Sequence, residues 1–271
     1  MSAEPKIHLH VFPKSTDKPH NSGYCQKMET YLRASPSLRS SYQIVGGLQM
    51  SPKGKAPWIT IASESDPSHR TVIADSHFIV KHLVASGLGE DLDAELTPVQ
   101  RAETRAFVWW TEGVFFPAIN ALRWSPLWPK NYEEWYKAIP IPGFLQWWPV
   151  KPILMFFIRR RNVQALEARD VGKHTKEEVE SLLKEWVDGV SVRLGDGEGW
   201  FHGGTEPTYV DVVLGSNLMQ IALRDVAELV ELVGNHANLL RYTERCVDLW
   251  FPEYEEFKQK LARMKIAAQM D

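Results

Sequence analysis

The stretch Gly54-Lys55-Ala56-Pro57-Trp58-Ile59 sets a proline directly before an apolar run of residues. Proline is tolerated at the first position of a strand, where its missing N–H removes no ladder hydrogen bond. The stretch therefore predicts a strand that starts near Trp58. A cis Ala56–Pro57 bond would turn the main chain of Ala56 outward, where it could pair with a peptide-like ligand, whereas the commoner trans bond would give a plain turn.

The segments around this stretch alternate between strand and helix patterns as far as Gly87. Short alternating or β-branched runs indicate strands, and apolar residues that recur every three to four positions indicate helices. Together they predict an α+β unit with the order β-α-β-β-β-α. The strands are expected at Ile7–Phe12, Tyr42–Val45, Trp58–Ala62 and Thr71–Ala74, and the helices at Ser22–Ala34 and Ser76–Val84.

From Glu95 onward the long segments are all helical. One helix is expected to run from Pro98 to Arg123, with Pro117 kinking or ending its regular turn. Capping boxes, in which a threonine is followed three residues later by Gln, Glu or Asp, mark the start of several helices. They begin at Thr97, Thr175 and Thr208.

Length and composition agree with a folded chain of two parts. The chain has 271 residues, 44% of them hydrophobic, and a formal net charge of -3. This composition supports a core and excludes both a general basic field for nucleic acid and the weakly hydrophobic, highly charged class of disordered chains. The predicted parts are a mixed domain over residues 1–87, a linker over 88–95 and a helical domain over 96–271 with an aromatic-rich insert at about 124–171.

Particular residues exclude further classes. Two cysteines, Cys25 and Cys246, cannot form a disulfide framework or a four-sulfur zinc site, and no metal is expected. The polar start of the chain has no secretory hydrophobic region. The apolar run 144–158 is short and interrupted by Pro149 and Pro152, so membrane contact is not expected, although three arginines follow the run.

Hydroxyl groups stand at two places where a loop enters a predicted helix. Ser22 precedes the first helix, where unpaired backbone N–H groups stabilise an anion such as a thiolate. Asp75 and Ser76 open the second helix, where the hydroxyl and the N–H groups suit a carboxylate and the Asp suits an ammonium group. Taken singly, each position is more simply explained as an ordinary helix N-cap.

Three features, taken in chain order, resemble the thioredoxin-like half of glutathione transferases. They are a serine after the first strand, a proline before the third and an Asp-Ser pair after the fourth. The helical half also resembles that superfamily, because Thr208-Tyr209-Val210-Asp211 matches its internal capping box. The closest likeness within it is to the failed axon connections and metaxin-like branch. That likeness rests on Ser51–Ile59, Ala74–Ile79, Gly172–Glu178 and Glu206–Asp211.

The resemblance implies an α+β thioredoxin-like N-terminal domain followed by an all-α glutathione-transferase-type C-terminal domain. It also implies a site for glutathione, used as co-substrate. From the first loop, Lys14, Lys18 and His20 could reach the glycyl carboxylate, although solvated loop charges are the simpler interpretation. The residues it assigns to glutathione binding are Lys55, Ala56, Pro57, Asp75 and Ser76.

By the same resemblance, Ser22 would donate a hydrogen bond to the sulfur of glutathione and so activate it. If the first helix began one turn later, Tyr24 or Cys25 would take this role; otherwise Cys25 is interpreted as a buried helix residue. These three residues are the candidates for catalysis.

Seven of the eleven tryptophans lie between residues 109 and 148, in the predicted helical domain. The family resemblance puts the helix expected from Pro98 to Arg123 beside the acceptor cleft. Trp110, Phe116 and Trp124 are therefore predicted to line an apolar wall for the second substrate. The implied function is a cytoplasmic, homodimeric glutathione transferase that conjugates glutathione to, or transfers it from, an apolar or aromatic electrophile in detoxification. The alternative functions are a non-catalytic metaxin-like adaptor and an apolar-ligand-binding protein. The alternative location is the cytosolic face of the mitochondrial outer membrane.

Overall fold

The computed structural model describes residues 7–49, 51–62, 70–139, 141, 143–223 and 226–267. The strands are β1 (Ile7–Val11), β2 (Tyr42–Gly46), β3 (Trp58–Ala62) and β4 (Arg70–Ala74). The helices are α1 (Gly23–Ala34), α2 (Ser76–Ala85), α3 (Pro98–Trp110), α4 (Phe116–Trp124), α5 (Pro129–Ala138), α6 (Val150–Glu167), α7 (Lys176–Leu194), α8 (Tyr209–Leu223), α9 (Ala227–Gly234), α10 (Ala237–Trp250) and α11 (Glu255–Ala267).

The described strands form one mixed sheet in the order β2-β1-β3-β4. β1 runs parallel to β2 and antiparallel to β3, and β3 runs antiparallel to β4. The order of strands and helices along the chain is the β-α-β-β-β-α order that the sequence predicts. The α+β thioredoxin-like class of the N-terminal part is therefore confirmed.

The longest buried helical surface belongs to α8, whose residues from Val210 to Ala222 are all buried. A helix that is buried on all sides packs inside a core rather than on a surface. α8 lies along α1, and polar side chains join the two helices: the Ser216 hydroxyl donates to Thr30 Oγ1 over 3.0 Å. The predicted all-helical second half is confirmed by this core and by the helices that follow it.

Two compact units divide the chain, one made of residues 1–105 with 194–271 and the other of residues 106–193. The first unit contains the sheet, α1, α2 and α8 to α11. The second contains α4, α5 and α6. The domain boundaries drawn from the sequence at 87 and 96 stay a prediction.

Within the second unit, the helix expected to reach Arg123 is interrupted by one turn of π-helix at Thr111–Phe115. Pro117 stands in the first turn of α4 and has no N–H to bond the carbonyl of Gly113, four residues earlier. The π-turn lies directly before this missing donor, with the Phe116 N–H bonded to the Thr111 carbonyl, five residues earlier. The predicted disturbance at Pro117 is present, one turn before the proline itself.

The aromatic-rich insert holds two helices, α5 and α6, that the sequence did not predict. Each begins with proline in or beside its first turn, where the missing N–H costs no intrahelical hydrogen bond. Across the described residues, no helix is both long enough and apolar enough to span a bilayer.

Candidate functional site

The end of β1, the start of β3 and the end of β4 meet at one edge of the sheet. Trp58 at the start of β3 faces His10 on one side and Ala74 on the other. Neighbouring strands are about 4.8 Å apart, so the loop that ends at Pro57 lies beside the turn that begins at Asp75. The fold thus brings together two predicted glutathione-binding segments that are separated in sequence.

A tight turn shapes the loop before β3. The N–H of Lys55 donates to the Ser51 hydroxyl over 3.3 Å, and the N–H of Gly54 donates to the Ser51 carbonyl over 2.8 Å. Gly54 has a φ of 66°, a left-handed conformation that glycine adopts at little cost. The Ala56–Pro57 peptide bond is cis. No other described residue hydrogen-bonds to the main chain of Ala56, so that main chain is open to an extended ligand.

The turn from β4 into α2 contains a strained residue. Asp75 has a φ of 84°, and its side chain accepts a hydrogen bond from the His77 N–H over 3.0 Å. A non-glycine residue in this conformation costs about 1–3 kcal/mol, and such residues cluster at functional sites. Ser76 is buried at the first position of α2. The Lys53 ammonium lies 4.7 Å from the centre of the Phe78 ring, which ties this turn to the loop before β3.

Ser22 is the N-cap residue of α1, and its carbonyl accepts the N–H of Gln26 over 2.9 Å. Its hydroxyl makes no capping hydrogen bond to the described first turn of the helix. Ser22 therefore holds the N-cap position that the simpler interpretation gives it, but its hydroxyl does not serve as the cap. Ser22 and Tyr24 are both half-buried.

Cys25 is fully buried, and burial raises the pKa of its thiol to about 11. Hydrogen bonds with the Ser22 hydroxyl and the Phe12 main chain lower the pKa only in part. The thiol is accordingly protonated at neutral pH, and protonated thiols are poor nucleophiles. The same contacts place the start of α1 beside the end of β1. Burial speaks against Cys25 as the reactive group, and the choice among Ser22, Tyr24 and Cys25 stays a prediction.

Two basic side chains of the first loop, Lys14 and His20, point inward. Glu29 on α1 has no exposed side-chain surface, and its carboxylate lies 2.7 Å from Lys14 Nζ, 2.7 Å from His20 Nε2 and 2.8 Å from Arg33 Nη2. Lys14 and His20 are therefore neither solvated nor directed at a ligand carboxylate, and both interpretations from the sequence fail for them. Lys18 is exposed. The i,i+4 pair of Glu29 and Arg33 was the only signal of this cluster in the sequence.

The residues predicted to line the second-substrate wall lie in the second unit. Trp124 is buried, with its ring centre 4.3 Å from that of Trp135. Trp110 is half-buried against Gly189, where an added Cβ would come within 2.6 Å of the indole. Phe116 is half-buried. Their role toward a substrate stays a prediction.

Two cavities of the first unit differ in their relation to the sheet edge. The smaller, of about 260 Å³, lies between the ends of β1 and β2 and is lined in part by His10, Val11 and Gly46. The larger, of about 760 Å³, is lined in part by Trp200 and Arg245 and shares no residue with the sheet. The smaller cavity is the one that adjoins the candidate site.

The chain is similar in sequence to known proteins. Residues 23–131 match the model of the glutathione S-transferase N-terminal domain. Failed axon connections of Drosophila melanogaster is 30% identical over 268 residues, a match that covers 94% of this chain and 60% of that protein. The chain thus spans 60% of the length of this curated relative.

Solved structures share the fold. Glutathione transferase Omega 2C from Trametes versicolor matches with a TM-score of 0.52 and 16% identity, over 98% of this chain and 98% of its own. A glutathione transferase family member from Pseudomonas fluorescens, solved with two glutathione bound, matches with a TM-score of 0.54 and 16% identity, over 94% and 92% of the two chains. At these identities the likeness is one of fold.

Proposed function

Since the chain belongs to the glutathione transferase superfamily, we propose that it binds glutathione at the sheet edge of β1, β3 and β4 and joins the glutathione thiol to an apolar electrophile. The observation that carries this proposal is the pairing of two features across that edge. The open main chain of Ala56 lies beside the start of α2, where Ser76 follows the strained Asp75. A peptide that bears a free carboxylate and an ammonium group matches both features.

Each part of glutathione would meet a group of matching chemistry. The Ala56 main chain would pair with the cysteinyl unit, with the exposed ammonium of Lys55 nearby. The Ser76 hydroxyl and the N-terminus of α2 would bind the γ-glutamyl carboxylate. The exposed carboxylate of Asp75 would accept hydrogen bonds from the γ-glutamyl ammonium group.

The chemical step needs a thiolate. A free thiol has a pKa of about 8.5, so the site must lower it by about one to two units, or roughly 1.4–2.7 kcal/mol, for the thiolate to dominate near pH 7. The Ser22 hydroxyl would donate a hydrogen bond to the sulfur and so stabilise the anion, and the thiol proton passes to solvent. The thiolate then attacks the electrophilic carbon, a C–S bond forms, and the leaving group departs with its electron pair.

Glutathione at ten times its Kd is expected to stabilise the folded chain by about 1.4 kcal/mol, a rise in Tm of about 2–5 °C. Ser76→Ala removes a hydrogen bond to a charged group and should weaken glutathione binding roughly 10- to 100-fold. Thermal shift and calorimetric titration measure both effects. Ser86→Ala, at the opposite end of α2, is the matched control and should keep the wild-type Kd. An absence of any glutathione-dependent shift in the wild type contradicts the proposed site.

Ser22→Ala is expected to lower kcat/KM for glutathione with 1-chloro-2,4-dinitrobenzene by about 10- to 100-fold, the equivalent of one to two pKa units. Its pH–rate profile should move to higher pH, because the thiol then ionises at its ordinary pKa. The Kd for glutathione should change little, which separates activation from binding. Tyr24→Phe serves as the comparison, and a larger loss there would move the role to Tyr24.

A non-catalytic protein on the same fold, acting as an adaptor or as a carrier of apolar ligands, is the second candidate. It is favoured by the hydrogen bond of Ser22 with the Cys25 sulfur, which engages the hydroxyl that activation requires. Glutathione binding without turnover, unchanged in Ser22→Ala, would support it. A cytoplasmic homodimer with a role in detoxification is the setting that we propose for the enzyme.

A further inference from the structure

The second unit carries a group of exposed apolar side chains around the start of α6. Trp148 is 83% exposed and Trp147 is 72% exposed. Large apolar side chains that are exposed close together in one segment favour an interaction site. We call this group the aromatic face; its members are Trp147, Trp148, Ile153, Phe156 and Phe157.

Helical spacing explains why three of these residues share a direction. Ile153, Phe156 and Phe157 are separated by three and four positions, so they lie on one side of α6. The opposite side packs toward α4: Met155 is buried, and Arg159 donates from Nε to the Trp124 carbonyl over 3.2 Å. α6 is therefore apolar on two sides, of which one forms part of the core of its unit and the other faces solvent.

Positive charge accompanies the aromatic face. Between Gly143 and Leu166 the sequence has four basic residues and no acidic one. Arg160 and Arg161 are exposed on α6, one turn after the two phenylalanines. Tryptophan favours the boundary between headgroups and acyl chains, and arginine binds anionic headgroups.

We propose that the aromatic face inserts into the interfacial layer of a bilayer rich in anionic lipid, with α6 lying in the plane of the membrane. The sequence argued against such a contact because two prolines interrupt the apolar run. In the structure Pro149 is the N-cap residue and Pro152 lies in the first turn of α6, so neither breaks the helix. The exposed side of α6 then places aromatic residues beside arginines, the combination that favours the interface of an anionic bilayer.

The charge distribution favours a lipid surface over a second copy of this chain. A two-fold interface would join the same patch on both subunits. It would bring Arg160 and Arg161 of both copies to one interface, and the segment from Gly143 to Leu166 offers no carboxylate to neutralise them. An anionic bilayer supplies that charge across its whole surface.

The test is co-sedimentation of the full chain with vesicles of phosphatidylcholine alone and of phosphatidylcholine with about 30% phosphatidylserine. The wild type should bind the anionic vesicles at least about tenfold more tightly than the neutral ones. Phe156→Ser combined with Phe157→Ser should reduce partitioning onto both kinds of vesicle at least about tenfold. Arg160→Glu combined with Arg161→Glu should abolish the preference for anionic lipid.

The control is Trp109→Ser on α3, since Trp109 is 63% exposed but lies outside the aromatic face. It should keep wild-type partitioning, and equal circular dichroism and Tm would show that all variants are folded. Failure of the wild type to bind anionic vesicles, or binding that survives both double substitutions, overturns the proposal. The proposal is also overturned if the wild type binds no vesicles but forms a dimer in sedimentation equilibrium, and the phenylalanine substitutions dissociate that dimer.

Discussion

Replacing Glu29 by Gln is expected to lower the free energy of unfolding by about 3–5 kcal/mol, the usual cost of removing one partner from a buried ion pair. The Glu29 side chain has no exposed surface and contacts Lys14, His20 and Arg33. The amide would keep some hydrogen bonds but would provide no negative charge. Lys14, with a 7% exposed side chain, would then retain the Tyr254 hydroxyl, 2.9 Å from its Nζ, but no carboxylate. Urea unfolding followed by circular dichroism measures the loss.

The protonation states in this cluster are set by burial and by charge. Burial lowers the pKa of His20, so its ring is neutral at pH 7 and donates from Nε2 to Glu29. Burial alone would raise the pKa of Glu29, but the hydrogen bond from His20 and the charges of Lys14 and Arg33 lower it from 4.5 to about 2.

A lowered carboxyl pKa makes stability depend on pH in a known direction. The unfolded chain binds the Glu29 proton more readily than the folded chain, so the contribution of this carboxylate is complete above about pH 5 and is lost as the pH falls toward 2. The unfolding free energy of the wild type should therefore fall more steeply over this range than that of Glu29→Gln. Parallel curves would show that folding does not shift the pKa of Glu29.

Glu133→Gln is the matched control. Glu133 also pairs with a lysine, Lys137 over 2.9 Å, but its side chain is 65% exposed, so the substitution should cost no more than about 0.5 kcal/mol. Lys14→Met added to Glu29→Gln should recover part of the loss, because the unpaired buried ammonium group is removed as well. Equal costs for Glu29→Gln and Glu133→Gln would mean that water reaches the cluster.

The sheet edge could be predicted because its determinants are local. The strand Trp58–Ala62 has the same bounds in prediction and structure, and the helix after Asp75 begins at Ser76 as predicted. The order of the strands in the sheet is then enough to place residues at the ends of adjacent strands next to each other. Whether any described residue bonds to the main chain of Ala56 depends on the rest of the fold and needed the structure.

The helices of the insert could not be predicted because a proline in a sequence can either end a helix or stand at its start. Pro149 and Pro152 were interpreted as interruptions, yet they lie at the N-cap and in the first turn of α6, a distinction that depends on where the helix starts. The tryptophans pose the same problem. Trp124 is buried and Trp148 is exposed, although both lie in the same aromatic-rich stretch.

The inward orientation of the first loop was beyond the sequence for another reason. Lys14 is bonded both to Glu29, fifteen positions away, and to Tyr254, 240 positions away. A lysine in a polar, proline-containing loop is most simply interpreted as solvated. Its contacts with α1 and with Tyr254 in the C-terminal part of the chain remove Lys14 from water.

Asp211→Asn is expected to destabilise the chain by about 3–5 kcal/mol, because an amide cannot replace a buried carboxylate that accepts four hydrogen bonds. Asp211 is fully buried. Its Oδ1 accepts from the Phe201 N–H over 2.8 Å and from the Tyr242 hydroxyl over 2.6 Å. Its Oδ2 accepts from the N–H and the hydroxyl of Thr208 over 2.7 and 2.8 Å. In either orientation, the new NH₂ group would face a main-chain N–H that cannot become an acceptor.

The chain contains a control with the same motif at an exposed helix end. At the start of α7, the carboxylate of Glu178 accepts the Thr175 N–H over 2.8 Å, and the Glu178 N–H donates to the Thr175 hydroxyl over 3.3 Å. Glu178→Gln should cost no more than about 1 kcal/mol, because at this exposed position water can accept the hydrogen bond that the amide group does not. The difference between the two substitutions measures the effect of burial on one capping motif. If Asp211→Asn cost no more than Glu178→Gln, the bonds to Phe201 and Tyr242 would contribute nothing to the stability of the α8 core.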